Sequence, residues 1–126
     1  MSAKKFDKEK SRYELLPPTG LRMAADAMTV GAKKYGDHNY LEGEGLDPER
    51  MLGAAYRHLE AIKEALLFDS GSVIDADSGV HHAGCAIAEI MMLVEVLERR
   101  DVDYHTEGSD QLELFGYWDT LCWEKF

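Results

Sequence analysis

The segment from about Gly79 to Arg100 constrains the fold most, because it is apolar on almost every side of a helical wheel. Its apolar residues leave no wide polar face before the last turn: Val80, Ala83, Ile87, Ala88, Ile90, Met91, Met92, Leu93, Val94, Val96 and Leu97. A helix that is hydrophobic all round is buried in the middle of a fold. We therefore predict a central third helix over roughly 79–100. In a chain of 126 residues such a helix also indicates an oligomer.

Two helices are predicted before it. Apolar residues recur at intervals of three and four between 21 and 32, which predicts helix one from Thr19, as the N-cap, to about Lys34. Asp47-Pro48-Glu49 is a start signal for helix two, which should run to about Phe68. The short loop that follows predicts an antiparallel packing of helices two and three. The expected fold class is all-α, an antiparallel helical bundle.

The two ends of the chain are predicted to be accessory segments of one domain over 1–126. Residues 1–18 form an N-terminal arm that should dock through Leu15 and Leu16, ahead of the Pro17-Pro18 pair. The tail over 101–126 is acidic but carries large apolar side chains, so it should pack on the body or on a partner subunit. Those side chains are Leu112, Leu114, Phe115, Tyr117, Trp118, Leu121, Trp123 and Phe126.

Charge and cysteine content exclude several classes of protein. Asp and Glu number 24 against 14 Lys and Arg, and the net charge of −10 argues against binding of polymeric nucleic acid through phosphate neutralisation. Cys85 and Cys122 are too few for a disulfide framework. We expect no signal peptide and no membrane span, since the sequence shows no apolar run long enough for either. The expected location is the cytoplasm, and the expected partner is a small molecule.

A charged stripe on helix two is the first candidate site. Arg57, Glu60 and Glu64 lie three and four residues apart, so they are neighbours on one helix surface. Two carboxylates at this spacing are suited to Mg²⁺ or Mn²⁺. The alternative is a solvated face in which Arg57 pairs with Glu60.

The loop before helix three supplies more carboxylates. Asp75 and Asp77 precede Ser78, which is a candidate cap for helix three, and an antiparallel packing would bring them to face Glu60 and Glu64. Four carboxylates at one end of a bundle would repel one another without cations. The alternative is a simple capped turn.

His82, Cys85 and Glu89 line one side of the apolar third helix. A carboxylate there needs a metal, a cation or a hydrogen-bond partner to offset its desolvation. The alternatives are a core histidine with satisfied hydrogen bonds at His82, and an ion pair across a subunit interface at Glu89.

A third group follows helix one: Lys33, Lys34, Tyr35, Asn39 and Tyr40. Lysines hold phosphates as point charges, an asparagine amide reads a base edge, and a tyrosine ring stacks on a base. The lysines also have an ordinary explanation at the negative end of a helix. The segment is a candidate substrate-binding site.

Four ordered blocks together resemble a known family. They are Lys5-Phe6-Asp7 with Lys10, Arg12 and Leu15-Leu16-Pro17-Pro18; Gly31-Ala32-Lys33-Lys34-Tyr35-Gly36 with Asn39-Tyr40; Arg57-His58 with Ala61; and Asp75, Asp77-Ser78-Gly79 with His82. Over about residues 4–97 the chain is similar to the phage dATP/dGTP diphosphohydrolases. That family is related to the MazG-like all-α nucleotide pyrophosphohydrolases and includes the MazZ-type enzymes of phages with 2-aminoadenine DNA.

The resemblance implies Mg²⁺-dependent hydrolysis of a purine deoxynucleoside triphosphate, dGTP or dATP, to the monophosphate and pyrophosphate. The dGMP formed would feed synthesis of the 2-aminoadenine nucleotide, in the host cytoplasm if the protein is phage-encoded. It also implies a bundle of MazG-like type, for which the apolar third helix favours a homodimer or homotetramer. The chain departs from the family in an insertion over 65–72, in Tyr40 where tryptophan is common, and in Glu89 where a small or amide residue is usual.

On this hypothesis two or more Mg²⁺ ions, or Mn²⁺, are held by Glu60, Glu64, Asp75 and Asp77. Glu60 or Glu64 accepts the proton of the attacking water, and Arg57 and Lys34 stabilise phosphate charge. Asn39 and Tyr40 contact the base, and His82 orients a ligand or is one.

Three alternatives stay open. A His-Asp metal-type phosphohydrolase would use His58, His81, His82 and Asp75, and would prefer transition metals. A non-catalytic nucleotide-binding protein would bind without turnover, and an interaction protein would use helix three for oligomerisation alone.

Overall fold

The computed structural model describes the backbone of residues 2–105 and the side chains of residues 2–100. Three α-helices account for most of this range: α1 (Pro18–Tyr35), α2 (Pro48–Leu67) and α3 (His82–His105). Short 3₁₀ turns cover Tyr13–Leu15 and Asn39–Leu41. Residues 2–105 contain no β-strand, and the one isolated bridge joins Ile74 to His81. The prediction of an all-α fold is confirmed for this part of the chain.

Helix α1 begins one residue earlier than predicted, and its start is set by proline rather than by a side-chain cap. Pro18 occupies the first turn after Pro17, and no side chain caps the helix, so the prediction of Thr19 as N-cap is wrong. Proline fits this position because its missing N–H would have no partner in the first turn anyway. The helix ends at Tyr35, and the next residue, Gly36, has a φ of 95°, which glycine adopts without strain.

Helix α2 follows its sequence signals closely. The Asp47 carboxylate accepts a hydrogen bond from the Glu49 N–H at 3.0 Å, with Pro48 as the first helical residue. This confirms the predicted start, and the end at Leu67 is one residue before the predicted one. A correct cap, a proline and a helical apolar period all favour the same element here.

Helix α3 begins three residues later than predicted, because the chain before it makes a closed loop. The Ala83 N–H donates to His81 Nδ1 at 2.9 Å, so His81, not Ser78, supplies the side-chain acceptor at the start of the helix. Gly79 has a φ of 73° and therefore cannot belong to a right-handed helix. The prediction of Ser78 as a helix cap is wrong, and Ser78 has another role, described below.

Helix α3 lies between α1 and α2, which pack against it more than against each other. His58 of α2 meets His82 at the start of α3, and the Arg100 guanidinium near its end donates to the Glu44 carbonyl at 3.4 Å. The helices α2 and α3 therefore run antiparallel, as predicted. On the other side, a Cβ at Gly84 would come within 2.6 Å of the Met23 carbonyl oxygen, so glycine permits the close approach of α1.

The small core lies along these two helix contacts. Its buried residues are Ala24, Met51, Ala55, Val80, Cys85, Ala86, Ala88 and Val96. The outer face of α3 is nevertheless open: Met91 and Val94 are 49% and 50% exposed. Helix α3 is central, but the expectation that it is buried on all sides is wrong for the single chain. Two flanking helices cover two faces of a cylinder and leave the third to solvent.

The two predicted accessory segments have different outcomes. Leu15 and Leu16 are 64% and 54% exposed, so the arm does not dock through its leucines in this chain. The predicted packing of the apolar tail falls on residues outside the described range. Within residues 2–105, no helix combines the length and apolar character needed to cross a membrane.

Candidate functional site

A cavity of about 250 Å³ opens between the end of α1, the loop before α3 and the first half of α3. We call it the central cavity. Its wall carries most of the polar residues that the sequence singled out. They are Lys34, Tyr35, Asn39, Tyr40, His58, Asp75, Asp77, Ser78, Cys85 and Glu89. The size is near the lower end of small-molecule sites, about 300–1,000 Å³.

The loop that carries the carboxylates is held in one shape by its own backbone. The Asp75 N–H donates to the Val80 carbonyl at 2.8 Å, and the His82 N–H donates to the Val73 carbonyl at 2.7 Å. Gly79 turns the chain between them, with its N–H bonded to the Asp75 carbonyl at 2.8 Å. This closed loop explains how residues well separated from α1 and α2 in sequence come to face both helices.

Ser78 fixes the carboxylate of Asp75. The Ser78 hydroxyl donates to Asp75 Oδ2 at 2.7 Å, and the Ser78 N–H donates to the same oxygen at 3.0 Å. These bonds, the hydroxyl one first, lower the pKa of Asp75, and they outweigh the opposing effect of partial burial. Both bonds fall on Oδ2. The carboxylate is thus kept ionised and oriented.

Asp77 pairs with the end of α1. Lys34 Nζ lies 2.9 Å from Asp77 Oδ2, and this hydrogen bond, with the charge of Asp77, raises the pKa of Lys34. The pair is exposed, so it is easily opened by a competing anion. Lys33 is exposed and does not line the central cavity. The structure therefore separates the two predicted lysines and brings only Lys34 to the cavity.

Asn39 and Tyr40 enter the wall through a 3₁₀ turn. His38 precedes the turn with a left-handed φ of 57°, and the Leu46 N–H donates to the Tyr40 carbonyl at 2.9 Å. Both Asn39 and Tyr40 are half-buried, whereas Tyr35 is largely exposed. An amide and two aromatic rings therefore lie on the same wall as Lys34.

Two histidines meet beside the cavity. His58 Nδ1 and His82 Nδ1 lie 2.9 Å apart, and an Asp75 carboxylate oxygen lies within 4.8 Å of both. Burial, and then the neighbouring His82, lower the pKa of His58. His81 is not part of this group, because its ring accepts from the backbone of α3. Three of the four residues of the mixed His-Asp set thus come together.

Glu89 and Arg57 flank the same region. Glu89 lines the cavity, and burial raises its pKa, with Arg57 acting in the opposite direction. Arg57 itself is exposed and does not line the cavity. A half-buried carboxyl with a raised pKa is typical of a group that exchanges protons.

Glu60 and Glu64 lie elsewhere. They line a separate open depression with Tyr56, Leu59, Lys63, Phe68 and Ser70. Glu60 follows His58 by two residues, which is about 200° around an α-helix, so it points away from the face that meets α3. The prediction that Glu60 and Glu64 face Asp75 and Asp77 is therefore wrong for the described residues. Their roles in metal binding and catalysis stay predictions.

His58 has a predicted role only in the His-Asp alternative, and Ser78 is predicted as a helix cap and not as a partner of Asp75. A signal for His58 was available: it is a histidine on the apolar face of one helix, and His82 is one on an apolar neighbour. Two such rings on packed helices are expected to meet. No comparable pattern marks Ser78, since a loop serine is common.

These features define a small all-α domain whose cavity combines a lysine, carboxylates, imidazoles and aromatic rings. The family model described as dATP/dGTP diphosphohydrolase, N-terminal, matches residues 1–105, and the chain belongs to this family. A dATP/dGTP diphosphohydrolase of Salmonella phage PMBT28 is 31% identical over 100 residues, which are 79% of this chain. The chain spans 31% of the length of that relative. No solved structure matches.

Proposed function

We propose that the chain hydrolyses purine deoxynucleoside triphosphates, with dGTP favoured and dATP accepted, to the monophosphate and pyrophosphate. The observation that carries the proposal is the convergence of Lys34, Asn39, Tyr40 and Asp75 on one cavity. The family and the name of the phage relative support the class of substrate. The dGMP formed would feed 2-aminoadenine nucleotide synthesis.

Binding of the substrate uses the polar and aromatic groups that line the central cavity. Asn39 offers a donor and an acceptor to the base edge, and Tyr40 offers a ring face. Lys34 holds a phosphate after leaving Asp77, because the ion pair between them is exposed and weak. Arg57 does not line the cavity, but its positive charge reaches the cavity wall, since it acts on the pKa of Glu89.

The carboxylates of the cavity fit a Mg²⁺ or Mn²⁺ ion that arrives with the triphosphate. Mg²⁺ sites use one or two carboxylates together with substrate phosphates, and Asp75 and Asp77 lie on one loop in the cavity wall. The ion, when bound, would neutralise phosphate charge and acidify a water molecule. Ser78 keeps Asp75 ionised for this role.

Glu89 is the residue that we assign as proton acceptor, in place of Glu60 or Glu64. It lines the cavity, and its raised pKa makes it a stronger base than an ordinary carboxylate. In this role Glu89 takes the proton of the water that attacks phosphorus. His82 orients Asp75 and His58 and is not a nucleophile.

The proposed assembly is a homodimer or homotetramer. Its support is the row of exposed apolar side chains on one face of α3, at Ile90, Met91, Val94 and Leu97. Leu66 and Leu67 are further exposed apolar side chains at the end of α2. Exposed apolar surface of this kind is typical of an interface. Light scattering of the purified chain tests it, and a monomer at all concentrations contradicts it.

A panel of nucleoside di- and triphosphates with Mg²⁺ tests the proposed reaction. The expected products from dGTP and dATP are the monophosphate and pyrophosphate in equal amounts. Release of orthophosphate alone contradicts the proposal and favours a phosphohydrolase of the His-Asp type. A thermal shift with dGTP but no product identifies a non-catalytic nucleotide-binding protein.

A further inference from the structure

The strongest unassigned feature is the group formed by His58, Asp75 and His82. It joins the middle of α2, the loop before α3 and the first residue of α3. One ligand atom from each side chain lies within 4.8 Å of the other two. All three residues are half-buried, so the rings and the carboxylate are held by packing rather than left free in solvent.

The contact between the rings has the spacing of two metal ligands. The Nδ1 atoms are 2.9 Å apart. Two nitrogens bound to one ion at about 2.0–2.1 Å are separated by roughly 2.8–3.0 Å at neighbouring octahedral positions and by roughly 3.3–3.4 Å in tetrahedral geometry. Without an ion, the contact requires one ring to carry its proton on Nδ1 and the other to accept it. An ion satisfies both nitrogens at once.

The types of ligand select the class of ion. Imidazole favours the transition series, whereas Mg²⁺ and Ca²⁺ prefer sites made of oxygen alone. Asp75 adds one hard ligand, and its hydrogen bonds with Ser78 fall on Oδ2. His58 and Asp75 also line the central cavity, so the group has one side open to a water molecule or a substrate oxygen.

We propose that His58, Asp75 and His82 form a site for one resident divalent ion of the series from Mn²⁺ to Zn²⁺, with an open position toward the central cavity. This ion is distinct from the Mg²⁺ that accompanies a triphosphate, and Asp75 is the residue that the two proposed sites have in common. The site does not depend on the proposed reaction, because the three ligands are present in the chain without any nucleotide.

The test is a titration of purified, tag-free, full-length chain, first stripped of metal by a chelator and then supplied with Co²⁺, Mn²⁺, Zn²⁺ or Mg²⁺. Calorimetry gives affinity and stoichiometry, and the visible spectrum of bound Co²⁺ reports its ligand geometry. The expected result is one Co²⁺ per chain with a ligand-field spectrum. Binding of Mg²⁺ in the absence of nucleotide should be at least about 100-fold weaker.

Three variants assign the ligands. His58→Asn and His82→Asn should each weaken Co²⁺ binding by more than about 100-fold, since loss of even an outer-shell partner costs about 10–100-fold. The matched control is His81→Asn, which removes a neighbouring imidazole and retains a side-chain oxygen for the start of α3. Its Co²⁺ affinity should equal that of the unmodified chain.

Unchanged Co²⁺ affinity in His58→Asn and His82→Asn overturns the proposal, as does equal loss in His81→Asn. If one variant fails to fold, as circular dichroism would show, Asp75→Asn takes its place and should lose affinity as well. The measurement uses no substrate. A chain that binds Co²⁺ but releases no pyrophosphate therefore contradicts the proposed function alone, and an active chain with no Co²⁺ site contradicts this inference alone.

Discussion

Two pairs of carboxylates in this protein look alike in sequence and differ in structure. Asp75 and Asp77 lie on a closed loop where Ser78 and Lys34 hold them against the central cavity. Glu60 and Glu64 lie on the outer surface of α2 in an open depression. The difference shows that a shared helix face can bring two acids together without placing them in a cavity. A constrained loop with polar partners brings the acids together and also holds them in the cavity wall.

The surroundings of the two pairs differ in the same way. Asp75 lies beside the Ser78 hydroxyl and two imidazoles, and the half-buried Glu89 lines the same cavity. These groups are suited to ion binding and proton transfer. Around Glu60 and Glu64 the neighbours include Tyr56 and Phe68, which are 65% and 68% exposed. Apolar side chains mixed with charges on an open surface are typical of a contact between proteins.

The largest effect is expected from Asp75→Asn. This variant keeps an oxygen for the Ser78 hydroxyl but removes the charge that we assign to metal binding. The rate of pyrophosphate release from dGTP should fall by about 100-fold or more. The matched control is Asp69→Asn, since Asp69 is an exposed loop residue with a φ of 52° that asparagine tolerates. A loss of less than threefold, on the order of a surface change, would count against the cavity.

The next effect concerns the two lysines at the end of α1. Lys34→Gln removes the cation that faces the cavity and should raise the KM for dGTP by about 10-fold, with a smaller change in kcat. Lys33→Gln removes the same charge one residue earlier, on a side chain that does not line the cavity. Steady-state kinetics of both variants check this, and equal changes in KM would show that only net charge matters.

A smaller effect is expected on stability from Ser78→Ala. The variant removes the hydroxyl that donates to Asp75 and accepts from the Val80 N–H at 3.2 Å, so it should cost about 1–2 kcal/mol in the free energy of unfolding. Ser72→Ala removes an exposed hydroxyl that accepts one bond from the Ile74 N–H, and it should cost less, about 0.5 kcal/mol. Urea denaturation measures both. Equal costs would mean that the loop is not held by Ser78.

The smallest effect depends on pH and tests the environment of Glu89. Burial raises the pKa of Glu89 in the folded chain, so the folded state holds this proton more tightly than the unfolded state does. The stabilising contribution is present below the unfolded pKa and is lost as the pH rises through the folded pKa. Glu89→Gln should therefore raise the melting temperature at pH 7.

At pH 4 the melting temperature of Glu89→Gln should return close to that of the unmodified chain, because both side chains are then largely neutral. Glu95→Gln is the control, since it removes the same charge at an exposed position on α3. Thermal unfolding without metal or nucleotide, at both pH values, checks the result. A gain for Glu89→Gln that is the same at pH 4 and pH 7 would rule out ionisation as its cause.

Much of the fold follows from local signals, and the site follows from them only in part. Asp47 and Pro48 predict the start of α2 because capping acts within one turn. The start of α3 could not be predicted in the same way, because the bridge between Ile74 and His81 and the left-handed Gly79 are settled by the whole loop. Periodicity placed Glu60 and Glu64 together correctly on one stripe.

Periodicity placed His58 on the apolar face of α2, and this is the face that meets α3. It could not tell that the neighbouring acidic stripe is turned away from the loop of Asp75 and Asp77, because that depends on how the helices and the loop pack together. The same limit applies to α3, whose apolar surface is continuous in sequence but only partly covered by α1 and α2. Contacts with other chains are not encoded in the period of one helix.

The place of the chemistry is tested by the rate of pyrophosphate release from dGTP in the double variant Glu60→Gln/Glu64→Gln, measured with Mg²⁺ beside the unmodified chain. If the central cavity carries the chemistry, the double variant keeps its rate within about threefold. A loss as large as that expected for Asp75→Asn would contradict this placement and return the metal site to the stripe on α2.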